Sequence, residues 1–426
     1  MRPSGGSGAR RVALLFGSFG GGGVVRTMLR AARGFVDRGY AVDVVVGRAR
    51  GGLRDRVPAE AGIVVLRQAA WLTTRAYILA ADPAGLPTLA RPVLFSREPP
   101  GKFRYLPDLV RYLRRARPDA VLAATAPFNI DAVWARRLAR LPCRVVASDH
   151  SQAAWAPEGR EWRYGIPPAV LRHGYLQADD IVAVSDGVAD ALSVHAGIPR
   201  ERITTVYNPV VSPDLADLAS AAVDHPWLVP GGPPVILGIG MLKPQKDFAT
   251  LIRAFARLRR EREARLLILG DVRKGAKESG SRDDLVRLAG ELGVGEDVAL
   301  PGFVNNPFAY LSRARLFVLS SNSEGLPTVL IEALACGCPV VSTDCPSGPA
   351  EILAGGRYGR LVPVGDEAAL AEAMGATLDH PPACEELQQR AEAFSIDRAT
   401  QGYDELLFPA GSDEGAMAAS AGRGPS

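Results

Sequence analysis

Glu324 and Glu332 flank a Gly-Leu-Pro-Thr turn in the stretch Ser323-Glu-Gly-Leu-Pro-Thr-Val-Leu-Ile-Glu-Ala-Leu-Ala-Cys-Gly-Cys-Pro-Val-Val-Ser342, directly after the apolar run Leu316 to Leu319. The pattern predicts strand, turn, helix, strand. Gly325 permits the turn, and Pro327 suits a first helical turn because its missing N–H is not needed there. Val329, Leu330, Ala333 and Leu334 form the buried stripe. A helix starting near Pro327 points its unpaired N–H groups and positive dipole end toward the carboxyl edge of the sheet, where open α/β folds bind anions. A diphosphate suits that place. A carboxylate beside a phosphate is repelled unless hydroxyl donors satisfy it, and sugars and riboses supply hydroxyls in pairs. In isolation, Glu324 would read as a helix cap and Glu332 as a solvated side chain; the surrounding pattern favours polyol recognition.

Other segments offer further chemistry. Gly238-Ile-Gly-Met-Leu-Lys-Pro-Gln-Lys-Asp247 follows an apolar run and supplies Lys246 as a cation. Gly20 to Gly23 form a glycine turn after the first apolar run, and Ser148-Asp-His150 closes another. The glycines depart from the Gly-x-Gly-x-x-Gly spacing of dinucleotide binding, and the second strand offers only an internal Asp43, which disfavours nicotinamide chemistry. Cys336-x-Cys338 lacks a nearby His or second Cys pair and reads as small buried residues, and there is no Asp-x-Asp to hold a divalent metal. No metal and no cofactor are expected.

Two sheets must position these residues. Short apolar runs at Val12 to Phe16, Ala41 to Val46, Ile63 to Leu66, Val121 to Ala124, Arg144 to Ala147, Ile181 to Val184 and Ile203 to Tyr207 alternate with amphipathic segments. That alternation predicts right-handed β-α-β units and a mainly parallel sheet. A second cycle has runs at Val235 to Ile239, Arg265 to Leu269, Val298 to Leu300, Leu316 to Leu319 and Pro339 to Ser342. The expected division is a Rossmann-like acceptor domain over 1–211, a proline-rich linker over 212–234, and a Rossmann-like nucleotide-sugar domain over 235–393. A helix over 394–408 is expected to cross back to the first domain, with a disordered tail over 409–426. Trp71 to Arg104 is proline-rich and aperiodic, and reads as a functional loop or partly helical segment suited to acceptor contacts.

The Glu-x7-Glu stretch resembles the retaining glycosyltransferases of family 4, whose motif is typically Glu-Gly-Phe-Pro followed by a helix and Gly-x-Pro-Val; Leu326 stands in place of the Phe. The resemblance extends from the glycine-rich loop to the final helix. It implies a GT-B fold, two doubly wound Rossmann-like domains facing each other across a donor-binding cleft. It also implies that Glu324 meets the donor's sugar hydroxyls, that the backbone of Gly325, Leu326, Pro327 and Thr328 meets sugar and phosphate, and that Glu332 holds the ribose. Gly238 to Asp247 resembles the family's Gly-Arg-Leu-x-x-x-Lys segment, which assigns Lys246 to the diphosphate and leaves Met241 where an arginine is usual. Gly22 and Gly23 are implied to bring backbone amides to the donor phosphate, His150 to contact the donor sugar near the scissile bond, and Val304 to border the nucleobase. A buried or capping role is the alternative for His150. The implied activity is retaining, metal-independent transfer of a hexose or N-acetylhexosamine from a nucleotide sugar, UDP-sugars favoured over GDP-sugars, to a glycan, lipid-linked or polysaccharide acceptor. His150, Glu324 and Lys246 would carry the catalysis. A sugar-nucleotide epimerase and a non-catalytic nucleotide-sugar-binding protein of the same fold are the alternatives.

Composition frames this reading. The 426 residues, 47% hydrophobic and 23% charged, suit a two-domain globular enzyme. Five cysteines, an odd count, and a start without an apolar signal core predict a reducing, cytoplasmic setting. The net charge of +4 conceals an asymmetry: 30 Lys and Arg against 18 Asp and Glu through Leu215, and 20 against 28 beyond it. A basic first half fits an anionic membrane surface as partner, giving a peripheral position at the inner face, and equally fits a merely solvated surface. No nucleic acid is expected.

Overall fold

The computed structural model describes residues 9–20, 22–96, 101–150, 166–272 and 282–410. The chain folds into two units. The first gathers Met1–Val184, Val188–Pro209 and Ile396–Ser426, and the second Ser185–Gly187 and Val210–Ser395.

The first unit is built on seven strands: β1 (Arg11–Ser18), β2 (Ala41–Arg48), β3 (Gly62–Val65), β4 (Ala120–Ala124), β5 (Arg144–Asp149), β6 (Asp180–Ala183) and β7 (Ile203–Thr205). Their order is β3-β2-β1-β4-β5-β6-β7, with every pairing among them parallel. Helices cover the sheet, which explains why its central strands read as unbroken apolar runs rather than alternating ones. Val12, Leu14, Phe16, Val44, Leu122 and Val146 share one core with Met28 and Phe35 of helix α1 (Gly23–Asp37). Tyr403 and Leu407 of the last helix, Ile396–Leu407, join that core. The stretch from Trp71 takes the partly helical alternative: α2 (Trp71–Ala81) is followed by short helical turns through Leu94.

The second unit has six parallel strands: β8 (Val235–Ile239), β9 (Arg265–Leu269), β10 (Val298–Gly302), β11 (Leu316–Leu319), β12 (Val340–Thr343) and β13 (Arg360–Val362). They run in the order β10-β9-β8-β11-β12-β13. The edge strand β13 is short and was not legible as an apolar run. The segment read as linker contains a helix, Leu215–Ser220. The tail beyond Ala410 lies outside the described residues.

In each sheet the chain starts at the centre, winds to one side and then returns to wind to the other. The switch falls between β1 and β4 in the first sheet and between β8 and β11 in the second. Outside the carboxyl ends of such neighbouring strands the two connections diverge and leave a crevice.

Candidate functional site

The crevice of the second sheet holds the densest set of sequence-predicted residues. After β8 the chain runs through Gly240 to a single turn of 3-10 helix, Pro244–Lys246. Gly270, at φ +146°, passes so close to the Gly240 carbonyl oxygen that a Cβ there would lie 1.8 Å away. The stem of Lys246 lies along Gly240, where a Cβ would sit 3.2 Å from its Cε. Asp247 follows in the left-handed region, at φ +44°, and its carboxylate accepts from the Thr250 hydroxyl at 2.8 Å, capping the helix Phe248–Arg259. Two glycines and a left-handed cap thus fix where Lys246 emerges.

After β11 the chain enters the Ser320 to Pro327 turn, which is tied to the Lys246 segment. Ser320 Oγ donates to the Lys246 carbonyl at 2.8 Å, Asn322 N to the Gln245 carbonyl at 2.8 Å, and Gln245 Nε2 to the Ser323 carbonyl. From the other side, Ser347 Oγ donates to the Gly325 carbonyl at 2.7 Å. Gly348, at φ +91°, is pressed against Pro327, where a Cβ would meet Cδ at 2.5 Å. Thr343, ending β12, donates to the Ser321 carbonyl at 2.6 Å. The helix Thr328–Ala335 then begins with Pro327 as its N-cap, one residue later than the sequence suggested, and with no side-chain cap among the described residues. Such a start suits an acceptor brought by a ligand.

The two residues expected to act on separate parts of a ligand are bonded to each other. Lys246 Nζ donates to Glu324 Oε1 at 2.6 Å, and the two side chains are only 14% and 10% exposed. Glu332 lies one helical turn into Thr328–Ala335 and is 2% exposed, not the solvated side chain of the bland reading. Met241 is 46% exposed, and two residues on Lys243 Nζ donates to Gln245 Oε1 at 2.5 Å. Val304 follows the end of β10, beside an exposed Phe303. Cys345 lies near both members of the ion pair; burial, assisted by Glu324, pushes its thiol up to about 12, so it stays protonated. Cys336 is likewise pushed up to about 12 by burial, and the Cys338 thiol is raised further, which suits the structural reading of that pair.

In the first unit, Gly22 caps α1 and Gly23 opens it, both exposed; Gly21 lies outside the described residues. Gly22 has an ordinary φ of −78°, and among the described residues nothing lies within 4 Å of a Cβ at either glycine. Neither is needed for the turn itself. The position that does need glycine is Gly51, at φ +137°, where a Cβ would lie 1.8 Å from the Phe19 carbonyl oxygen.

His150 directly follows β5, with Nε2 3.0 Å from Ser148 Oγ. Its Nδ1 has no hydrogen-bond partner among the described residues, and burial pushes the ring down to about 4, with Asn208 opposing. Thr125, between β4 and the helix Ala126–Ala139, adopts φ +77°, rare for a β-branched residue, and its buried hydroxyl finds no partner among the described residues. Nothing in the residue types announced Thr125, Ser347 or Gly348. Asp43 is engaged by Arg11 at 3.1 Å and by the Tyr112 hydroxyl at 2.7 Å, which binds it into the sheet's flank.

Comparison with known proteins adds family evidence to this geometry. Residues 21–212 match the model described as Glycosyltransferase Family 4, and residues 222–394 the model described as Glycosyl transferases group 1. The lipopolysaccharide core biosynthesis glycosyltransferase LpsE of Rhizobium meliloti is 30% identical over 270 residues, 60% of this chain and 74% of LpsE. The chain belongs to glycosyltransferase family 4. A second relative of this glycosyltransferase is the N-acetylgalactosamine-N,N'-diacetylbacillosaminyl-diphospho-undecaprenol 4-alpha-N-acetylgalactosaminyltransferase of Campylobacter jejuni, 32% identical over 236 residues. That match covers 55% of the chain and spans only 60% of the Campylobacter enzyme. The glycosyltransferase also matches a crystal structure of Anabaena HepE in complex with UDP and glucose. The TM-score is 0.69 at 20% identity, over 93% of this chain and 99% of HepE, a likeness of fold. The fold is thus GT-B, two Rossmann-like units.

Proposed function

We propose that this protein transfers a hexose or N-acetylhexosamine from a nucleotide sugar to a glycan, lipid-linked or polysaccharide acceptor, with retention at the anomeric carbon. The observation that carries the reading is the meeting, at the switch point of the second sheet, of Lys246, Glu324 and the uncapped start of Thr328–Ala335. A cation and a helix N-terminus suit a diphosphate, and carboxylates suit the hydroxyls joined to it. UDP-sugars are favoured over GDP-sugars; UDP is the nucleotide bound by HepE, and N-acetylgalactosamine is the sugar named for the Campylobacter relative.

In this mechanism Lys246 and the helix N-terminus stabilise the departing diphosphate, Glu324 and a neutral His150 orient the sugar, and Glu332 holds the ribose. Gly22 and Gly23, exposed at the start of α1, bring backbone amides to the donor phosphate in the same reading. Attack comes from the face the nucleotide leaves, with a phosphate oxygen as base, and needs neither metal nor cofactor. A panel of UDP- and GDP-sugars, with and without glycan and lipid-linked acceptors, tests the reading by nucleotide release, and proton NMR of the product reports its anomeric configuration. Acceptor-dependent release with retention supports it. Turnover of donor alone would indicate an epimerase, and nucleotide binding without turnover a binding protein.

The proposal places the enzyme at an anionic membrane surface on the cytoplasmic side. No helix of the described residues is long and apolar enough to cross a membrane. On α2, Thr74, Ile78 and Ala81 face inward, while Leu72, 79% exposed, and Leu79 face outward. Arg75 Nη2 donates to the Ser96 carbonyl at 2.9 Å, which fastens the segment carrying Phe95, 77% exposed, to this helix. Between Leu66 and Ser96 the single acid is Asp82. It is buried and held by His173, Gln177 and the Gly85 N–H. An apolar stripe on a segment, Leu66 to Ser96, whose single acid is buried suits a lipid surface. Vesicle flotation should show binding to anionic but not neutral vesicles, weakened by salt and by Leu72→Asp with Phe95→Asp; equal binding to both vesicle types would remove the idea.

A further inference from the structure

The bond between Lys246 and Glu324 bears on which ligand the site accepts. It lies at 2.6 Å between two side chains with little access to water, so each charge is already compensated by the other. Neither end is free to swing away with its backbone. The carbonyls on both sides of Glu324 are occupied, Ser323 by Gln245 Nε2 and Gly325 by Ser347 Oγ. The Lys246 carbonyl takes the Ser320 hydroxyl, and the lysine stem is confined along Gly240. Burial keeps the Cys345 thiol protonated beside the pair, so it brings no charge that competes for Lys246.

A lysine ammonium has three donors and can serve a carboxylate and a phosphate oxygen together. That sharing brings two anions close to one another. A bare nucleoside diphosphate offers Glu324 nothing in return. A nucleoside diphosphate sugar brings hydroxyl donors that satisfy the carboxylate at the moment the lysine turns to phosphate.

Resting on the donor reading above, we propose that Glu324 is a specificity-determining residue that guards Lys246, disfavouring a bare nucleoside diphosphate and yielding to the same diphosphate when a sugar is attached. The pair would favour donor over spent nucleotide and speed release of the product.

Calorimetry with UDP, UDP-glucose and UDP-N-acetylgalactosamine on the full chain tests this, comparing wild type with Glu324→Gln and Glu324→Ala, each checked by thermal melting. Both variants are expected to bind UDP about tenfold more tightly, as a charge-assisted bond passes from carboxylate to phosphate. Binding of the accepted UDP-sugar should gain less or weaken, and product inhibition by UDP should strengthen. UDP affinity unchanged or reduced in both variants, with wild-type UDP binding intact, would overturn the guard while leaving the donor site standing. Wild type binding none of the three ligands would overturn both.

Discussion

Ser148 Oγ and His150 Nε2 lie 3.0 Å apart at the end of β5, a bond that orients an imidazole whose other nitrogen has no hydrogen-bond partner among the described residues. Burial holds this ring down to about 4 from an ordinary 6.5, so it is neutral at physiological pH. As a neutral group it offers one donor and one acceptor, not a charge. His150→Ala is expected to lower kcat by about 100-fold through loss of sugar orientation, with UDP affinity held within about twofold. The pH profile of kcat/KM should show no transition near 6.5 that His150→Ala abolishes; such a transition would mean the ring works as a cation. Stability follows the same sign. The unfolded chain takes up this proton near 6.5 and the folded chain only near 4, so stability falls as pH drops through that window. His150→Asn should make the decline shallower in urea titrations at successive pH values.

Glu332 is 2% exposed and sits on the helix whose N-terminus opens the crevice. Exchanging it for Gln keeps shape but replaces a charged acceptor with a neutral amide. Glu332→Gln should weaken both UDP and UDP-sugar by about 1.5 to 3 kcal/mol. It should therefore move free UDP in the opposite direction to Glu324→Gln. Parallel shifts of the two variants by calorimetry would refute the division of tasks between the glutamates.

Met241 occupies the position where the family resemblance leads one to look for arginine, and at 46% exposure it has room for a longer side chain. Met241→Arg should strengthen UDP binding by about 1.5 to 3 kcal/mol through a charge-assisted bond to phosphate. An unchanged affinity would show that another cation already fills the role.

Gly348 combines φ +91° with the 2.5 Å approach to Pro327, whereas Gly365 has φ +76° with nothing among the described residues within 4 Å of a Cβ. Both alanine variants carry the backbone strain, about 1 to 3 kcal/mol. Only Gly348→Ala also pushes on the turn that carries Glu324. Gly348→Ala is therefore expected to lower kcat/KM for the donor well beyond its effect on melting temperature, while Gly365→Ala lowers melting temperature alone. Equal kinetics in the two variants would show that the Pro346 to Pro349 loop does not position the turn.

Much of this molecule is written along the chain. Buried parallel strands are apolar throughout, so Val12 to Phe16 or Leu316 to Leu319 could be read without knowing their neighbours. Glu324, Pro327 and Glu332 could be read as a turn and a helix because their spacing is local, and the structure places that helix within one residue of its expected start. The short edge strand β13 was missed, since three residues carry little periodicity, and α2 was legible only as one of two alternatives, because its proline-rich surroundings mask its single buried stripe. What only the tertiary structure decided is the pairing of groups far apart in sequence. Lys246 and Glu324 meet because β8 and β11 are neighbours at a switch point, and strand order leaves no mark on composition. Ser347 and Gly348 hold the turn for the same reason: their roles depend on contact with Gly325 and Pro327, reached through the fold and not through any local pattern.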